Sequence, residues 1–124
     1  MTLDEVRRFA ASLPETTEEP HFHYTSFRVR GRIFATAPPE GEYLHVFLRD
    51  EERERALTEQ PDFLEPLRWG RQIRGVRVLL SAAKPRVVET LLAQAWSRQA
   101  PKRLLAPRGA ASRSEIPRLP AGEA

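Results

Sequence analysis

The stretch Glu18–Ala35 reads EEPHFHYTSFRVRGRIFA, and it decides the fold more than any other part of the chain. A proline-led loop feeds two short strands, predicted over about 23–30 and 32–37. Gly31 between them marks a tight turn, because glycine tolerates positive φ. Cationic and aromatic side chains alternate along both strands. Three phenylalanines of the stretch are expected to pack into the fold: Phe22, Phe27 and Phe34.

Three helices are predicted around this hairpin. Thr2 and Glu5 form a capping box, so a first helix is expected to end near residue 13, where Pro14 follows. Asp50 is expected to cap a second helix that runs to about residue 58. A third begins at Pro85, which suits the first helical position although Lys84 before it is a poor cap, and its apolar face includes Trp96.

The remaining segments complete an α+β pattern. A third strand is predicted over Tyr43–Leu48 and a late strand over Gly75–Leu80, with an extra short strand near 71–73. Residues 15–20 are predicted to form a polar loop, and residues 61–68 a turn-rich segment. The order α-β-β-β-α-β(β)-α favours a two-layer sandwich, with a mostly antiparallel sheet and helices on one face.

Length and charge indicate one domain followed by a tail. Of 124 residues, 1–106 are assigned to the domain and the proline-rich segment 107–124 to a basic, disordered tail. Residues 1–99 hold 15 Lys/Arg and 15 Asp/Glu, so the formal charge of +3 resides in the last 25 residues. The high isoelectric point is therefore not a property of the whole domain.

Several classes of protein are disfavoured by composition. The chain has no cysteine, which excludes disulfides and thiol chemistry. No apolar run suits a membrane helix and no secretory signal is seen, so a cytoplasmic location is expected. No nucleophile elbow, phosphate-binding glycine loop or carboxylate pair is present, and we therefore expect neither an enzyme nor a cofactor.

The chain resembles the MmcQ/YjbR-like family of small bacterial proteins over about residues 1–104. The resemblance lies in Pro20-His21-Phe22, in SFRV at 26–29, in GRIFA at 31–35 and in the ending around Trp96 and 100–104. It implies an α+β fold of frataxin-like shape and a DNA-binding label. The family often has glycine where His23 stands, and the segment before Val76 departs from its pattern.

Two groups of residues suggest binding to DNA. Strand alternation predicts an open sheet face with cations for phosphates and aromatic rings for unpaired bases. Its members are Arg28, Arg30, Tyr43, His45, Phe47 and Arg77. Further cations at the turns and after the last helix would hold a phosphate backbone: Arg32, Arg71, Arg74, Lys102 and Arg103. A solvated face, or a homodimer interface using the aromatic residues, explains the same pattern.

The alternative function is a protein-interaction or small-ligand module that uses a groove near His21, His23 and Trp69. His21 and His23, two apart on a presumed strand, would point to the same side and could approach a metal with His45 and Glu18 or Glu19. This pattern is weak, and no metal site is predicted. Trp69 and Trp96 are both expected in the core.

Overall fold

The sheet organises the structure, which is a computed structural model that describes residues 1–105. Six antiparallel strands and four helices form the predicted α+β fold. In chain order the elements are α1 Leu3–Ser12, β1 Thr16–His21, β2 Tyr24–Val29, β3 Arg32–Ala37, β4 Tyr43–Phe47, α2 Asp50–Glu59, β5 Leu64–Trp69, β6 Gln72–Leu79, α3 Pro85–Gln99 and α4 Lys102–Leu105. The predicted tail, 107–124, lies outside the described residues.

The two edges of the sheet are the strands that the sequence did not predict. The strand order is β1-β2-β3-β4-β6-β5, so β1 and β5 each pair on one side only. The predicted loop 15–20 is wrong because residues 16–20 belong to β1, which pairs along its whole length with β2. The turn-rich prediction for 61–68 is confirmed at residues 61–63, which form a turn, and is wrong from residue 64, where β5 begins to pair with β6. Each edge strand contains a proline, Pro20 or Pro66, which a strand tolerates at an edge.

Three hairpins close with two-residue turns. Arg30 and Gly31 connect β2 to β3, both with positive φ, as a type I′ turn requires. Gly70 and Arg71 connect β5 to β6, which is one continuous strand instead of a late strand with a short extra one. Phe22 and His23 connect β1 to β2. His23 therefore lies in a turn, and the prediction that it shares a strand with His21 is wrong.

Bulges explain the irregular apolar pattern of the hairpins. Phe27 pairs with Ala35 and Arg28 with Ile33, so β3 has one extra residue, Phe34, between them. Phe34 and Ala35 are consequently both buried, although they are consecutive. Arg74 is the corresponding extra residue of β6.

The helices begin much as predicted. In α1 the Glu5 N–H donates to Thr2 Oγ1 at 3.2 Å, and the Thr2 N–H donates to Glu5 Oε1 at 2.8 Å, which confirms the capping box. Asp50 is the first residue of α2 and not its cap; the N–H of the preceding Arg49 donates instead to Glu52 Oε1 at 3.2 Å. Pro85 begins α3, and Lys84 makes no side-chain capping bond.

One hydrophobic core lies between the sheet and α1, α2 and α3. Trp96 is buried in it and donates its indole N–H to Pro14 O at 3.0 Å. Phe27 and Phe34 are also buried, but Phe22 is 90% exposed and Trp69 is 59% exposed, so both were wrongly expected inside. Among the helices of residues 1–105, none combines the length and apolarity needed to cross a membrane.

Candidate functional site

A groove with a volume of about 1060 Å³ lies between the tips of two hairpins. We call it the hairpin groove. The β1–β2 tip, the β5–β6 hairpin, the start of α2 and the end of α3 all contribute to it. Its lining residues are His21, Phe22, His23, Tyr24, Ile33, Thr36, Phe47, Leu48, Asp50, Arg53, Trp69, Gln72, Ile73, Arg74, Arg98 and Gln99.

The groove follows from an interruption in the sheet. Only two residue pairs join β3 to β4, Ala35 with Val46 and Thr36 with His45. Beyond them Ile33 and Phe47 are unpaired with each other and both line the groove. The bulge at Phe34 turns β3 at this point, because an extra residue bends the strand that carries it.

Two exposed aromatic side chains distinguish the groove. Phe22, at φ 59°, occupies the first position of its two-residue turn, where the β5–β6 turn has Gly70. A bulky residue in this left-handed conformation is strained. Its ring meets the His21 ring edge-on at a centroid distance of 4.8 Å, and Trp69 flanks the other hairpin tip. The chain therefore holds an apolar ring in solvent at a conformational cost.

The charged lining of the groove is mostly cationic, with three arginines and one aspartate. The guanidinium of Arg53 is occupied by hydrogen bonds within the protein. Its Nη1 donates to Asp50 Oδ1 and to Ile73 O, both at 2.9 Å, and its Nε donates to Glu54 Oε2 at 2.9 Å. Arg74 and Arg98 are exposed, and Arg74 Nη2 donates to Gln72 Oε1 at 2.8 Å. The net positive lining arises although residues 1–99 are neutral overall.

A second groove, of about 780 Å³, lies on the open sheet face and contains three of the predicted residues, Tyr43, His45 and Arg77. We call it the sheet-face groove. Arg77 forms an ion pair with Glu65 at 2.5 Å, and its guanidinium lies 3.5 Å from the centre of the Tyr43 ring. Its charge and the ring face are both engaged within the protein. This groove offers less cationic surface than the strand pattern predicted.

His45 lies on the open sheet face as strand alternation predicted, but the expectation that it is exposed there is wrong, because the residue is only 7% exposed. Tyr24 covers it, with ring centroids 5.9 Å apart, and Thr36 Oγ1 lies 3.5 Å from Nδ1. Burial, and secondarily the positive charge of Arg77, lowers the pKa of His45. The imidazole is therefore held neutral and does not present a cation.

The other predicted cations are distributed over the surface. Arg28 Nε donates to Ser26 Oγ at 2.9 Å on the sheet. Arg30 and Arg103 both bind Glu15, which therefore offsets part of their charge. Three more are exposed, two at turns and one on α4: Arg32, Arg71 and Lys102. These six residues do not line either groove described here.

The residues predicted for a protein-interaction or small-ligand site are brought together more than the predicted cations are. His21, His23 and Trp69 all line the hairpin groove, with Phe47 and Arg74. Within residues 1–105 no three His, Asp or Glu side chains are grouped closely enough to hold a metal ion. His45 in particular lies under the ring of Tyr24 and does not line the hairpin groove with His21 and His23.

Sequence reasoning missed eleven of the sixteen groove residues, among them Phe22, Tyr24, Arg53 and Arg98. Phe22 was assigned to the core because β1 was not recognised, which concealed the two-residue turn. Arg98 had a detectable signal, since it lies in the last turn of a strongly predicted helix and off its apolar face. The contributions of Tyr24 and Arg53 depend on strand and helix packing that spacing does not show.

Comparisons with known proteins agree with this fold. A crystal structure of the Deinococcus radiodurans protein DR2400, a DUF419 domain, is similar with a TM-score of 0.67 and 20% identity, covering 92% of this chain and 84% of that one. At this identity the likeness concerns the fold alone. No curated protein matches the chain. The family model named YjbR matches residues 11–98. The chain belongs to the YjbR family.

Proposed function

We propose that this protein binds nucleic acid through the hairpin groove and does so without catalysis. The observation that supports the proposal most is the meeting of exposed aromatic rings and exposed arginines in one groove. Phe22 and Trp69 offer apolar surface, and Arg74 and Arg98 offer guanidinium groups that suit phosphate. Elsewhere on the described surface, cations such as Arg77 and Arg30 are paired with carboxylates.

The groove continues toward further cations. Arg32 precedes Ile33, and Gln99 donates its side-chain amide to Ile33 O at 3.3 Å, so the end of α3 lies beside the β2–β3 turn. Lys102 follows three residues after Gln99. A phosphate backbone that leaves the groove along α3 would reach Arg32 and Lys102 next. The cations along this route would contact only a few phosphates in total, so we expect a modest affinity for nucleic acid.

A salt series on the full chain tests the proposal. Because each phosphate contact releases a counterion, the logarithm of the binding constant for a labelled oligonucleotide is expected to fall linearly as the logarithm of salt concentration rises. Changing both Arg74→Gln and Arg98→Gln is expected to reduce the slope by about 1 for each arginine. Binding that is absent at low salt, or that does not change with salt, would refute the proposal.

The matched control is the double variant Arg8→Gln with Arg86→Gln. Both residues are exposed helix arginines outside the two grooves, and the control removes the same total charge. We expect it to leave the salt slope unchanged. If the two double variants weaken binding equally, the effect is one of overall charge and the groove is not the site.

A small-ligand or protein-binding module is the second candidate, and the size of the groove favours it. The groove volume of about 1060 Å³ is slightly above the ~300–1000 Å³ typical of ligand pockets, so it is large enough for a small ligand. A compound that raises the melting temperature while oligonucleotides do not would favour this candidate, since a ligand that binds only the folded state stabilises it.

A further inference from the structure

We infer that the strand bound in the hairpin groove is single-stranded, with unpaired bases stacked on Phe22 and Trp69. This inference rests on the proposed function and names the class of nucleic acid. Its starting point is that Phe22 is 90% exposed and Trp69 is 59% exposed, each at a hairpin tip on the groove. Rings in such positions can receive a base from solvent without any rearrangement of the core.

Stacking of this kind needs bases that are not already paired. In a duplex both faces of each base are covered by neighbours, and a side chain reaches them only after unstacking a step. Single strands present free base faces, and aromatic side chains are the usual platforms for them. Phe22 and Trp69 thus match a single strand better than a duplex.

The count of available cations leads to the same conclusion. Proteins that hold duplex DNA by its backbone neutralise about 6–10 phosphates. The groove offers Arg74 and Arg98, because Arg53 is engaged with Asp50, Glu54 and the backbone of Ile73. Even with Arg32 and Lys102 beyond the groove, four cations would give little duplex affinity, and stacking supplies the rest for a single strand.

The strained turn is a second, independent observation. Phe22 has φ 59°, a conformation in which glycine is the unstrained residue, and its ring meets the ring of the adjacent His21 edge-on. Strained residues of this kind cluster at binding and catalytic sites. The phenylalanine lies where it gains nothing from the core, which fits a ring that stacks on an external group.

Trp69 provides the direct test, because the second tryptophan, Trp96, is buried. In the full chain carrying Trp96→Phe, titration with an oligothymidylate is expected to quench Trp69 emission. The duplex of the same length is expected to quench it far less. In wild type, fluorescence anisotropy with labelled oligonucleotides gives the affinities without the core substitution, so the test survives if Trp96→Phe fails to fold.

Phe22→Ala and Trp69→Ala are each expected to weaken single-strand binding about 5-fold or more. Leu105→Ala, which removes an exposed apolar side chain on α4 outside the groove, is the matched control and should change little. Duplex affinity is expected to be insensitive to Phe22→Ala.

The outcomes separate the inference from the proposed function. If duplex binds as tightly as single strand, or if Phe22→Ala leaves single-strand affinity unchanged, the inference is overturned while the salt-dependent binding of the proposed function stands. If neither form binds at low salt, both fail.

Discussion

Arg103 binds the carboxylate of Glu15 with both arms of its guanidinium, through Nη1···Oε2 and Nη2···Oε1 distances of 2.9 Å each. The two residues lie 88 positions apart, so this bidentate pair fastens α4 to the loop after α1. Arg30 adds a third bond to the same carboxylate at 3.3 Å. Glu15 thereby connects the β2–β3 turn with the C-terminal end of the described chain.

Glu15→Gln is expected to lower the melting temperature by only a few degrees, because exposed ion pairs contribute little. The hydrogen bond from Arg103 lowers the pKa of Glu15 below 4.5. As pH falls, the carboxyl of the unfolded chain is therefore protonated before that of the folded protein. The stability that the ion pair contributes is complete above the unfolded pKa and is lost as pH falls through the lower folded pKa. Chemical denaturation at neutral and acid pH checks this: the difference between wild type and variant should shrink in acid, and an unchanged difference would contradict it.

Gly75→Ala is expected to destabilise the fold by about 3 kcal/mol or more, through a clash of the new methyl group with a neighbouring strand. A Cβ at residue 75 would lie 1.9 Å from Val46 O and 2.9 Å from Phe47 Cα. The contrast is Gly31→Ala, where no atom lies within 4 Å of the added Cβ but φ is +81°. That variant should lose only about 1–2 kcal/mol, from backbone strain alone. Equal losses in urea denaturation would show that contact with β4 is not what requires glycine.

Phe22→Gly is expected to be more stable than Phe22→Ala by about 1 kcal/mol, because glycine accepts the positive φ of this turn without strain. Both variants remove the same ring, so their difference isolates the backbone. Thermal or urea unfolding measures it. If alanine proves as stable as glycine, the turn relaxes in the variants and Phe22 is not under strain.

His45 makes stability depend on pH in a second, higher window. Burial lowers its pKa below 6.5, so between its folded and unfolded pKa values the unfolded state binds more protons. Stability is therefore expected to fall as pH drops below about 6.5. His45→Gln should flatten this dependence while leaving the acid loss at Glu15 in place. Denaturation midpoints measured between pH 5 and 7 test this prediction. If His45→Gln leaves the dependence of stability on pH unchanged, that dependence belongs to other groups.

The central elements could be predicted from the sequence because each carries a local signal. The capping box of α1, the glycine turn before β3 and the apolar face of α3 depend on residues within a few positions of each other. The two edge strands lack such a signal. β1 is nearly all polar and contains Pro20, and β5 contains Pro66, a composition typical of loops and equally of sheet edges.

The candidate site was predicted in part, and its gaps have a topological cause. His21, His23 and Trp69 were named together as lining a groove, and all three line the hairpin groove. Among the residues that complete it, Phe22 and Arg98 are 76 positions apart, and only the packing of α3 and the two hairpins brings them together. Alternation along β4 placed His45 on the correct face but could not show that Tyr24 covers it.

The short ladder between β3 and β4 has a consequence for how the protein opens. Only two residue pairs join β3 to β4, whereas the other neighbouring strands are paired along most of their lengths. Amide hydrogen exchange should therefore divide the sheet into two cooperative units, β1–β3 and β4–β6, with the seam at Thr36 and His45 between them. A strand lodged in the hairpin groove touches both units, so it would slow exchange in each of them at once.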